Sequence, residues 1–271
     1  MNQRRNMIKT SANDILLYES CPHRWELSKS GKKSEKQIHA FYRFSSALHF
    51  AVKKHISELE SPFEVFEEYW GRYKEDYPLI YKEGETWDFL KDLGLKFLEQ
   101  FRAEFPNKKI DAILTENKLT LITEAWKYTS QPDLIGFQDG RDRYVSGEYK
   151  TTEKPIDPIW IRGSDQLTGA AMVISSEFNV APPIDILVCN FCKETGRIHW
   201  FEDIRDQVDI DDYILKINHF VEAVNKGYHP RRTLQAFDSP CYWCDFKEEC
   251  YIRTPKAEME SLENFAFEER I

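Results

Sequence analysis

Two carboxylates and a lysine in the middle of the sequence have the types and spacing of a hydrolytic metal site. Asp133 follows a proline, and Glu148 and Lys150 are separated by one residue in a predicted strand. Because side chains alternate along a strand, Glu148 and Lys150 are predicted to share one face, with Asp133 beside them. Two carboxylates and a backbone oxygen suit Mg²⁺ or Mn²⁺, and a nearby lysine can assist an attacking water. A solvated strand edge is the alternative, since 31% of the residues are charged.

Two more polar residues are candidates for the same site. His49 follows the small-residue stretch Phe44-Ser-Ser-Ala-Leu on a predicted helix. A lone histidine there is usually structural, whereas beside two carboxylates an imidazole is a suitable metal ligand. Gln166, on a predicted helix after the strands, is a candidate to orient the lysine or a phosphate. A plain helix N-terminal residue is the alternative for this glutamine.

A second group of candidate ligands is formed by cysteines near the C-terminal end. Cys241, Cys244 and Cys250 are close enough in sequence to give three thiolates to one metal centre, and such centres need four ligands. Cys21, which precedes a proline near the N-terminus, is one candidate for the fourth. Aromatic residues around the three C-terminal cysteines would provide apolar surroundings of the kind that protect an iron–sulfur cluster.

Cys189 and Cys192 offer an alternative, a four-thiolate zinc site formed with Cys241 and Cys244. They end an apolar run that is typical of a buried strand, where structural cysteine is common. The sequence therefore favours Cys21 and leaves the zinc arrangement open.

The elements that must position these residues change in type near Pro106. Before it, caps and helical periodicity predict a short helix beginning at 11 and helices over 45–57, 61–70 and 86–105. After it, the patterns predict strands over 110–116, 119–126, 132–137, 144–151, 184–192 and 198–202, with helices over 164–176 and 210–225. Helices combined with a mostly antiparallel set of strands indicate a mixed α/β (α+β) fold.

Length, composition and charge exclude several classes of protein. A chain of 271 residues, 41% of them hydrophobic, has enough apolar material for a core, which excludes wholesale disorder. The sequence has no run of about 18 apolar residues and no signal-peptide pattern, so an intracellular protein is predicted. The net charge is −9, yet residues 1–55 carry +7. Such asymmetry occurs where one face meets a polyanion, although on charge alone a solvated lysine-rich loop is the simpler interpretation.

Taken in order, these features resemble the PD-(D/E)XK nuclease superfamily. Within it they resemble RecB-like exonucleases that carry a [4Fe–4S] cluster, such as the CRISPR-adaptation nuclease and the AddB-type nuclease domain. The matching segments are Tyr18-x-x-Cys21-Pro22, Leu48-His49, Glu116, Pro132-Asp133, Gly147-Glu148-Tyr149-Lys150-Thr151, Gln166 and the three C-terminal cysteines. The sequence departs from the family twice: Ser45 stands where a glycine is usual, and the family's Gln-x-x-x-Tyr ends here in Ala170.

The resemblance implies a fold and a set of residue roles. The implied fold is a restriction-endonuclease-like core of a mixed sheet flanked by helices. An N-terminal helical region and an iron–sulfur cluster joining the N- and C-terminal segments would complete it. The implied residues are Lys150, Glu148, Asp133 and Gln166 for catalysis; His49, Asp133, Glu148 and the carbonyl of Tyr149 for Mg²⁺ or Mn²⁺; Cys21, Cys241, Cys244 and Cys250 for the [4Fe–4S] cluster; and Arg24, Lys32, Lys33 and Arg43 for DNA.

The resemblance also implies an activity, that of a divalent-metal-dependent DNA nuclease acting as an exonuclease on single-stranded ends. Residues 1–253 would form one nuclease domain with a helical insertion at 56–106, a catalytic core at 107–225 and a cluster segment at 237–253. A tail would follow at 254–271. Implied partners are single-stranded DNA and proteins of recombination, CRISPR adaptation or phage DNA processing, in the cytoplasm of a prokaryotic or phage-infected cell. The alternatives are a non-catalytic DNA-binding or assembly module, an endonuclease or flap nuclease, and a redox sensor.

Overall fold

The computed structural model of the protein describes residues 7–30, 39–76, 79–233, 235 and 238–252. The chain divides into two compact units, here called the sheet unit (Met1–Asn13 and Gln37–Glu222) and the cysteine unit (Asp14–Lys36 and Ala223–Ile271). The predicted tail at 254–271, Lys32 and Lys33 lie outside the described residues.

The strands of the described part form two sheets in the sheet unit. Their bounds are β1 Ile8–Thr10, β2 Ile110–Thr115, β3 Leu119–Ile122, β4 Trp126–Ser130, β5 Leu134–Gln138, β6 Arg143–Thr152, β7 Ile184–Cys192 and β8 Arg197–Arg205. The larger sheet has the order β2-β5-β6-β7-β8 and is antiparallel except for the parallel pair β6 and β7. The smaller sheet has the order β1-β4-β3, with β1 parallel to β4. The mixed sheets confirm the predicted fold class.

The strand predicted over 119–126 is wrong as a single element. It is two strands, β3 and the start of β4, which pair with each other antiparallel in the smaller sheet. The chain reverses at Thr123, whose hydroxyl accepts hydrogen bonds from the N–H groups of Ala125 and Trp126. A threonine hydroxyl that bonds to backbone groups this close in sequence favours a turn over a continuing strand.

Helices flank both sheets, and where the sequence predicted one the structure has one. Their bounds are α1 Ala12–Ser20, α2 Pro22–Lys29, α3 Ala40–Glu58, α4 Pro62–Asp76, α5 Trp87–Glu104, α6 Pro158–Arg162, α7 Asp165–Glu177, α8 Gln207–Asn225 and α9 Lys247–Ile252. None of the helices in the described ranges is long and apolar enough to cross a bilayer. The short helices α2, α6 and α9 were not predicted, because none of them carries a clear apolar periodicity.

The helices α3, α4 and α5 form a three-helix layer that positions His49, the candidate-site residue from the N-terminal part of the chain. α5 begins after Thr86, whose hydroxyl accepts a hydrogen bond from the N–H of Phe89. The layer buries Phe44, Trp70 and Phe97 completely, and the same core continues into the large sheet. The predicted insertion at 56–106 therefore packs on α3 and supports it, and α3 carries His49.

The helix α7 lies between the two sheets, with contacts to β3 and β4 on one side and to β6 and β7 on the other. This position explains why its residues from Leu167 to Ile174 are all buried. Ser164 caps the helix through its hydroxyl, which accepts from the N–H of Leu167. Gly169 gives the helix its close approach to β4, because a Cβ at that position would clash with the Tyr128 hydroxyl. The first turn of α7 then presents Gln166 to the strand ends.

The cysteine unit consists of short elements. Cys21 is the N-cap of α2, where its sulfur accepts a hydrogen bond from the N–H of Arg24. Trp25 packs on His229 with ring centroids 5.5 Å apart. The guanidinium of Arg232 donates to the carbonyl oxygens of Glu19 and Ser20, at 2.7 and 3.1 Å. These contacts join the N-terminal and C-terminal segments of the unit.

Candidate functional site

The carboxylates of the candidate site are fixed by the pairing of β5 with β6. Asp133 immediately precedes β5, and the register places Leu134 opposite Gly147, so Asp133 lies opposite Glu148. The Asp133 Oδ2 atom accepts a hydrogen bond from the N–H of Tyr149 at 2.6 Å. Both carboxylates are thus set by the sheet, as the strand pattern predicted.

Glu148, Lys150 and Gln166 form a closed group of contacts. Lys150 Nζ is 2.5 Å from Glu148 Oε1 and donates to Gln166 Oε1 at 2.9 Å. The Gln166 amide donates in turn to Glu148 Oε1 at 2.7 Å. Tyr149 points to the opposite face, where its ring packs edge-on against Phe101. The predicted alternation of the strand is therefore observed, and Gln166 contacts both charged partners.

His49 lies beside Asp133, with Nδ1 3.9 Å from Asp133 Oδ2. Its Nε2 atom is buried and has no hydrogen-bond partner among the described residues. Burial lowers the pKa of His49; Glu148 opposes this shift and Lys150 adds to it. A neutral imidazole with an unpartnered nitrogen is the form that binds a metal ion.

The carboxyl groups of Asp133 and Glu148 have too little positive charge around them to offset their desolvation. Burial raises the pKa of Asp133 to about 6, against the opposing effects of the Tyr149 N–H and Lys150. Burial and the neighbouring Asp133 raise the pKa of Glu148 to about 7, although Lys150 lowers it. A bound cation would remove this penalty, because it stabilises both ionised forms.

The donor set fits a hard divalent cation in its chemistry: the buried Glu148 carboxylate, the partly buried Asp133 carboxylate and an unpartnered imidazole nitrogen. A metal site also requires that the ligand side chains surround a common position. Within the described ranges, no group of three or more His, Cys, Asp or Glu side chains is arranged to hold a metal ion. Lys150 is instead the positive charge in contact with Glu148.

Glu116 and Lys53 also lie at the site; Glu116 is one of the segments that resemble the family, without an assigned role, and Lys53 was not singled out from the sequence. Glu116 directly follows β2 with a left-handed backbone (φ 49°), and its N–H donates to the Asp133 carbonyl at 3.0 Å. Lys53 Nζ is 2.9 Å from Glu116 Oε2. Lys53 lies four residues after His49 on α3, so both side chains share one helix face. That spacing was the available signal for Lys53.

A cavity of about 300 Å³ adjoins the carboxylate site and is lined by residues of several elements. Glu148 and Gln166 form part of its wall, together with Lys118, Tyr128 and Ala170. Ala170 takes the place of the tyrosine in the family's helical motif, yet a tyrosine from β4 lines the same space. The hydroxyl of Tyr128 is 3.0 Å from that of Tyr213.

The four predicted cluster cysteines line one cavity of the cysteine unit. Cys21 and Cys241 are buried, and Cys244 and Cys250 are partly exposed. Burial raises the pKa of Cys250; Arg231 opposes this, and the other three cysteines add to it. The sulfurs are thus near enough to affect one another's ionisation. Four thiols and, among the described residues, no carboxylate line this cavity, a donor chemistry that suits a soft thiolate-bound centre, although the side chains are not arranged to hold a metal ion.

His23 lines the same cavity and was not singled out from the sequence. It is 7% exposed, its Nδ1 is 3.0 Å from Glu26 Oε2, and its Nε2 has no partner in the described part of the chain. Only its position two residues after Cys21 would have indicated it.

Cys189 and Cys192 are both fully buried in β7 of the sheet unit. Cys189 belongs to the core that contains Phe191 and Tyr149. Burial raises the pKa of the Cys189 thiol well above its ordinary value. These surroundings match the structural interpretation of the two residues.

The predicted DNA-binding residues in the described part have partners within their own units. Arg24 lies 3.9 Å from Asp245 in the cysteine unit. Arg43, on α3 of the sheet unit, stacks its guanidinium over Tyr73 at 4.9 Å from the ring centre. A DNA-binding role for either residue stays a prediction.

Comparison with known proteins gives this geometry a context. A family model described as the PD-(D/E)XK nuclease superfamily matches residues 9–251. A candidate exonuclease from Eubacterium rectale has a similar structure, with a TM-score of 0.52 and 11% identity over 88% of each chain; this likeness supports the fold alone. An alkaline exonuclease from Laribacter hongkongensis aligns over 69% of this chain and 96% of its own, with 7% identity and a TM-score of 0.26. No curated protein matches the sequence.

Proposed function

This chain belongs to the PD-(D/E)XK nuclease superfamily, and we propose that it is a divalent-metal-dependent DNA nuclease. Its main substrate would be single-stranded DNA, degraded from an end. The observation that carries the proposal is the contact group of Glu148, Lys150 and Gln166 beside Asp133 and His49. A structural role alone does not require two neighbouring carboxyl groups with raised pKa values beside an unpartnered imidazole.

The proposed metal ligands are His49, Asp133, Glu148 and the carbonyl of Tyr149. When bound, Mg²⁺ or Mn²⁺ would supply a Lewis acid that lowers the pKa of water and neutralises phosphate charge. The chain's own residues do the rest. Asp133 is kept in place by the Tyr149 N–H, and Gln166 fixes the Lys150 ammonium. Lys150 then lies where it can hold the attacking water or the phosphate oxygens as one P–O bond is hydrolysed.

The proposal includes a structural [4Fe–4S] cluster bound by Cys21, Cys241, Cys244 and Cys250. Its support is the convergence of the four thiols on one cavity. A brown anaerobic preparation with about four irons per chain is expected. A colourless protein with stoichiometric zinc would refute the cluster. The link to CRISPR adaptation, recombination and repair, or phage DNA processing stays a prediction from the sequence resemblance.

The activity is tested with purified protein, Mg²⁺ or Mn²⁺, and end-labelled single-stranded, duplex and flap DNA. We expect mononucleotides or short products released from single-stranded ends. Lys150→Ala should lower the rate about 10²- to 10⁴-fold, with the fold and the iron content unchanged. Lys96→Ala is the matched control, since Lys96 is exposed on α5.

Each other outcome of this assay has a definite meaning. Full activity of a clean Lys150→Ala preparation would refute the assigned mechanism. Internal cuts would identify an endonuclease, and cuts at branch points a flap nuclease. DNA binding without cleavage under all metal conditions would favour a non-catalytic module.

A further inference from the structure

A tryptophan that the proposed mechanism does not use lies against the catalytic lysine. Trp160 is on α6, and Lys150 Nζ is 5.9 Å from the centre of its ring. The side chain is 44% exposed, and the neighbouring Ile159 is 78% exposed. A short helix that presents two large apolar residues to solvent beside a reactive group marks a contact surface.

The helix that carries Trp160 is firmly held, so the ring has a defined position. Asp157 caps α6 by accepting from the N–H of Ile159 at 2.8 Å, and Pro158 occupies its first turn. At the other end, Arg162 donates to Asp209 Oδ1 at 2.7 Å and to the Ile204 carbonyl at 3.0 Å. The exposed indole is therefore a fixed surface beside Lys150.

We propose that Trp160 stacks on an unpaired nucleobase next to the phosphate that Lys150 contacts, and so selects single-stranded substrate. This inference rests on the proposed function. Every nucleobase offers a flat face to an aromatic ring, so such a platform is independent of sequence. In a duplex those faces are covered by neighbouring base pairs, whereas an unpaired nucleotide leaves them available. The adjacent ammonium of Lys150 supplies the charge that the phosphate of the same nucleotide needs.

The competing explanation is that the ring only orients Lys150 through a cation–π contact. The two explanations differ in what Trp160 contributes to binding. A ring that orients the lysine changes the rate of the bound complex and leaves affinity for DNA intact. A stacking ring changes affinity for unpaired bases even where no cleavage occurs.

Affinity is measured on the full chain in EDTA, so that binding is read without cleavage. Trp160→Ala should weaken binding of a single-stranded oligonucleotide about 5- to 100-fold, and Trp160→Phe much less, because a smaller aromatic face remains. Blunt duplex DNA should change by less than about 2-fold. Leu215→Ala, a change of one exposed apolar residue on α8 outside the proposed contact surface, is the control. Melting temperatures of all variants should equal that of the parent.

A series of oligonucleotides with one abasic site, moved along the strand, locates the contact. We expect one position at which the parent protein loses affinity and Trp160→Ala loses no more, since the two changes remove the same interaction. Unchanged single-strand affinity together with slower cleavage at saturating DNA would overturn the proposal in favour of lysine orientation. An equal loss on blunt duplex would also overturn it, because the ring would then stack on a terminal base pair. A chain that shows the abasic effect yet cleaves nothing would refute the proposed function and leave the stacking site standing.

Discussion

The two carboxylates of the candidate metal site lie close together in sequence, within residues 133–150. The four cysteines, in contrast, belong to two segments that lie more than 200 residues apart. Asp133 and Glu148 face each other across one strand pair, backed by a core that includes Phe101 and Tyr149. Cys21 caps α2 and Cys250 lies in α9, helices of eight and six residues. The carboxylate site is thus part of a large sheet, and the cysteine cavity is part of a small unit.

This difference separates what the fold supplies from what a bound group must supply. A five-stranded sheet with buried helices positions its side chains without a ligand, even at the cost of two carboxyl groups with raised pKa values. Short elements bury little apolar surface, so a unit made of them usually depends on a cross-link or a metal centre. We therefore expect metal removal to leave the sheet unit folded and cluster removal to unfold the cysteine unit.

The largest expected effect comes from breaking the cysteine site. Cys241→Ser should abolish iron binding and destabilise the cysteine unit by on the order of 5 kcal/mol, the chain-entropy effect of a cross-link closing about 220 residues. Limited proteolysis should then cut within 14–36 and 223–252, and the sheet unit should resist. Iron content, visible absorbance and circular dichroism measure the change. Retention of iron at the parent level would exclude Cys241 as a ligand.

The next largest effect is expected from removing one carboxylate of the candidate metal site. Asp133→Asn should weaken Mg²⁺ binding more than about 100-fold and yet stabilise the metal-free protein at pH 8 by about 2 kcal/mol. The gain arises because a buried charge is removed while an acceptor remains for the Tyr149 N–H. Calorimetric titration and thermal melting measure the two quantities.

Asp111→Asn is the control for this substitution, since Asp111 is exposed on the adjoining strand β2. It should change neither the Mg²⁺ affinity nor the melting temperature. A metal-free Asp133→Asn protein that melts below the parent would contradict the idea that the fold bears an uncompensated charge.

Local signals in the sequence predicted much of what positions the carboxylate site. Thr86, Pro62 and Ser164 mark helix starts that the structure has, and alternation along 144–151 predicted which side chains share a face. The parallel pairing of β1 with β4 and the contact between Lys53 and Glu116 were not predicted. Those features depend on residues far apart in sequence, for which a single sequence carries only weak signals.

The sequence likewise predicted one part of the cysteine site and missed another. The spacing of Cys241, Cys244 and Cys250 predicted a common centre, and the structure adds that Cys21 faces the same cavity. His23 was not predicted because its position at the cavity follows from Cys21 capping α2. Side-chain capping by cysteine is not a pattern that residue spacing predicts.

A smaller effect is expected from pH, and it should appear in the sheet unit. The folded-state pKa values of about 6 for Asp133 and about 7 for Glu148 exceed those of unfolded chains. The metal-free native state therefore binds more protons at these two groups, so their contribution to stability rises as pH falls from 8 through 7 and 6, while the lowered pKa of His49 contributes in the opposite sense. The slope should reach about 1.4 kcal/mol per pH unit for each such proton. Mg²⁺ affinity should fall over the same range, because protonated carboxyl groups do not bind the ion.

Thermal melting at pH 6 to 8.5, with and without Mg²⁺, measures this dependence. The stabilisation by Mg²⁺ should grow with pH, while iron content stays constant. A metal-free melting temperature that rises with pH over this interval would show that the carboxyl groups are compensated within the fold.

The smallest expected effect distinguishes a ligand cysteine from a packing cysteine. Cys189→Ala removes one buried sulfur from the middle of β7, which should cost about 1 kcal/mol of stability through lost packing. Iron content and nuclease activity should equal those of the parent, since the Cys189 side chain is enclosed by the core of the sheet unit. Metal content and melting temperature, measured for Cys189→Ala and Cys241→Ser side by side, compare the two kinds of cysteine directly.

If Cys189→Ala also lost its metal, and the metal proved to be zinc, the four-thiolate arrangement with Cys192, Cys241 and Cys244 would replace the iron–sulfur cluster. Burial in a regular strand would then not distinguish a packing cysteine from a metal ligand in this protein.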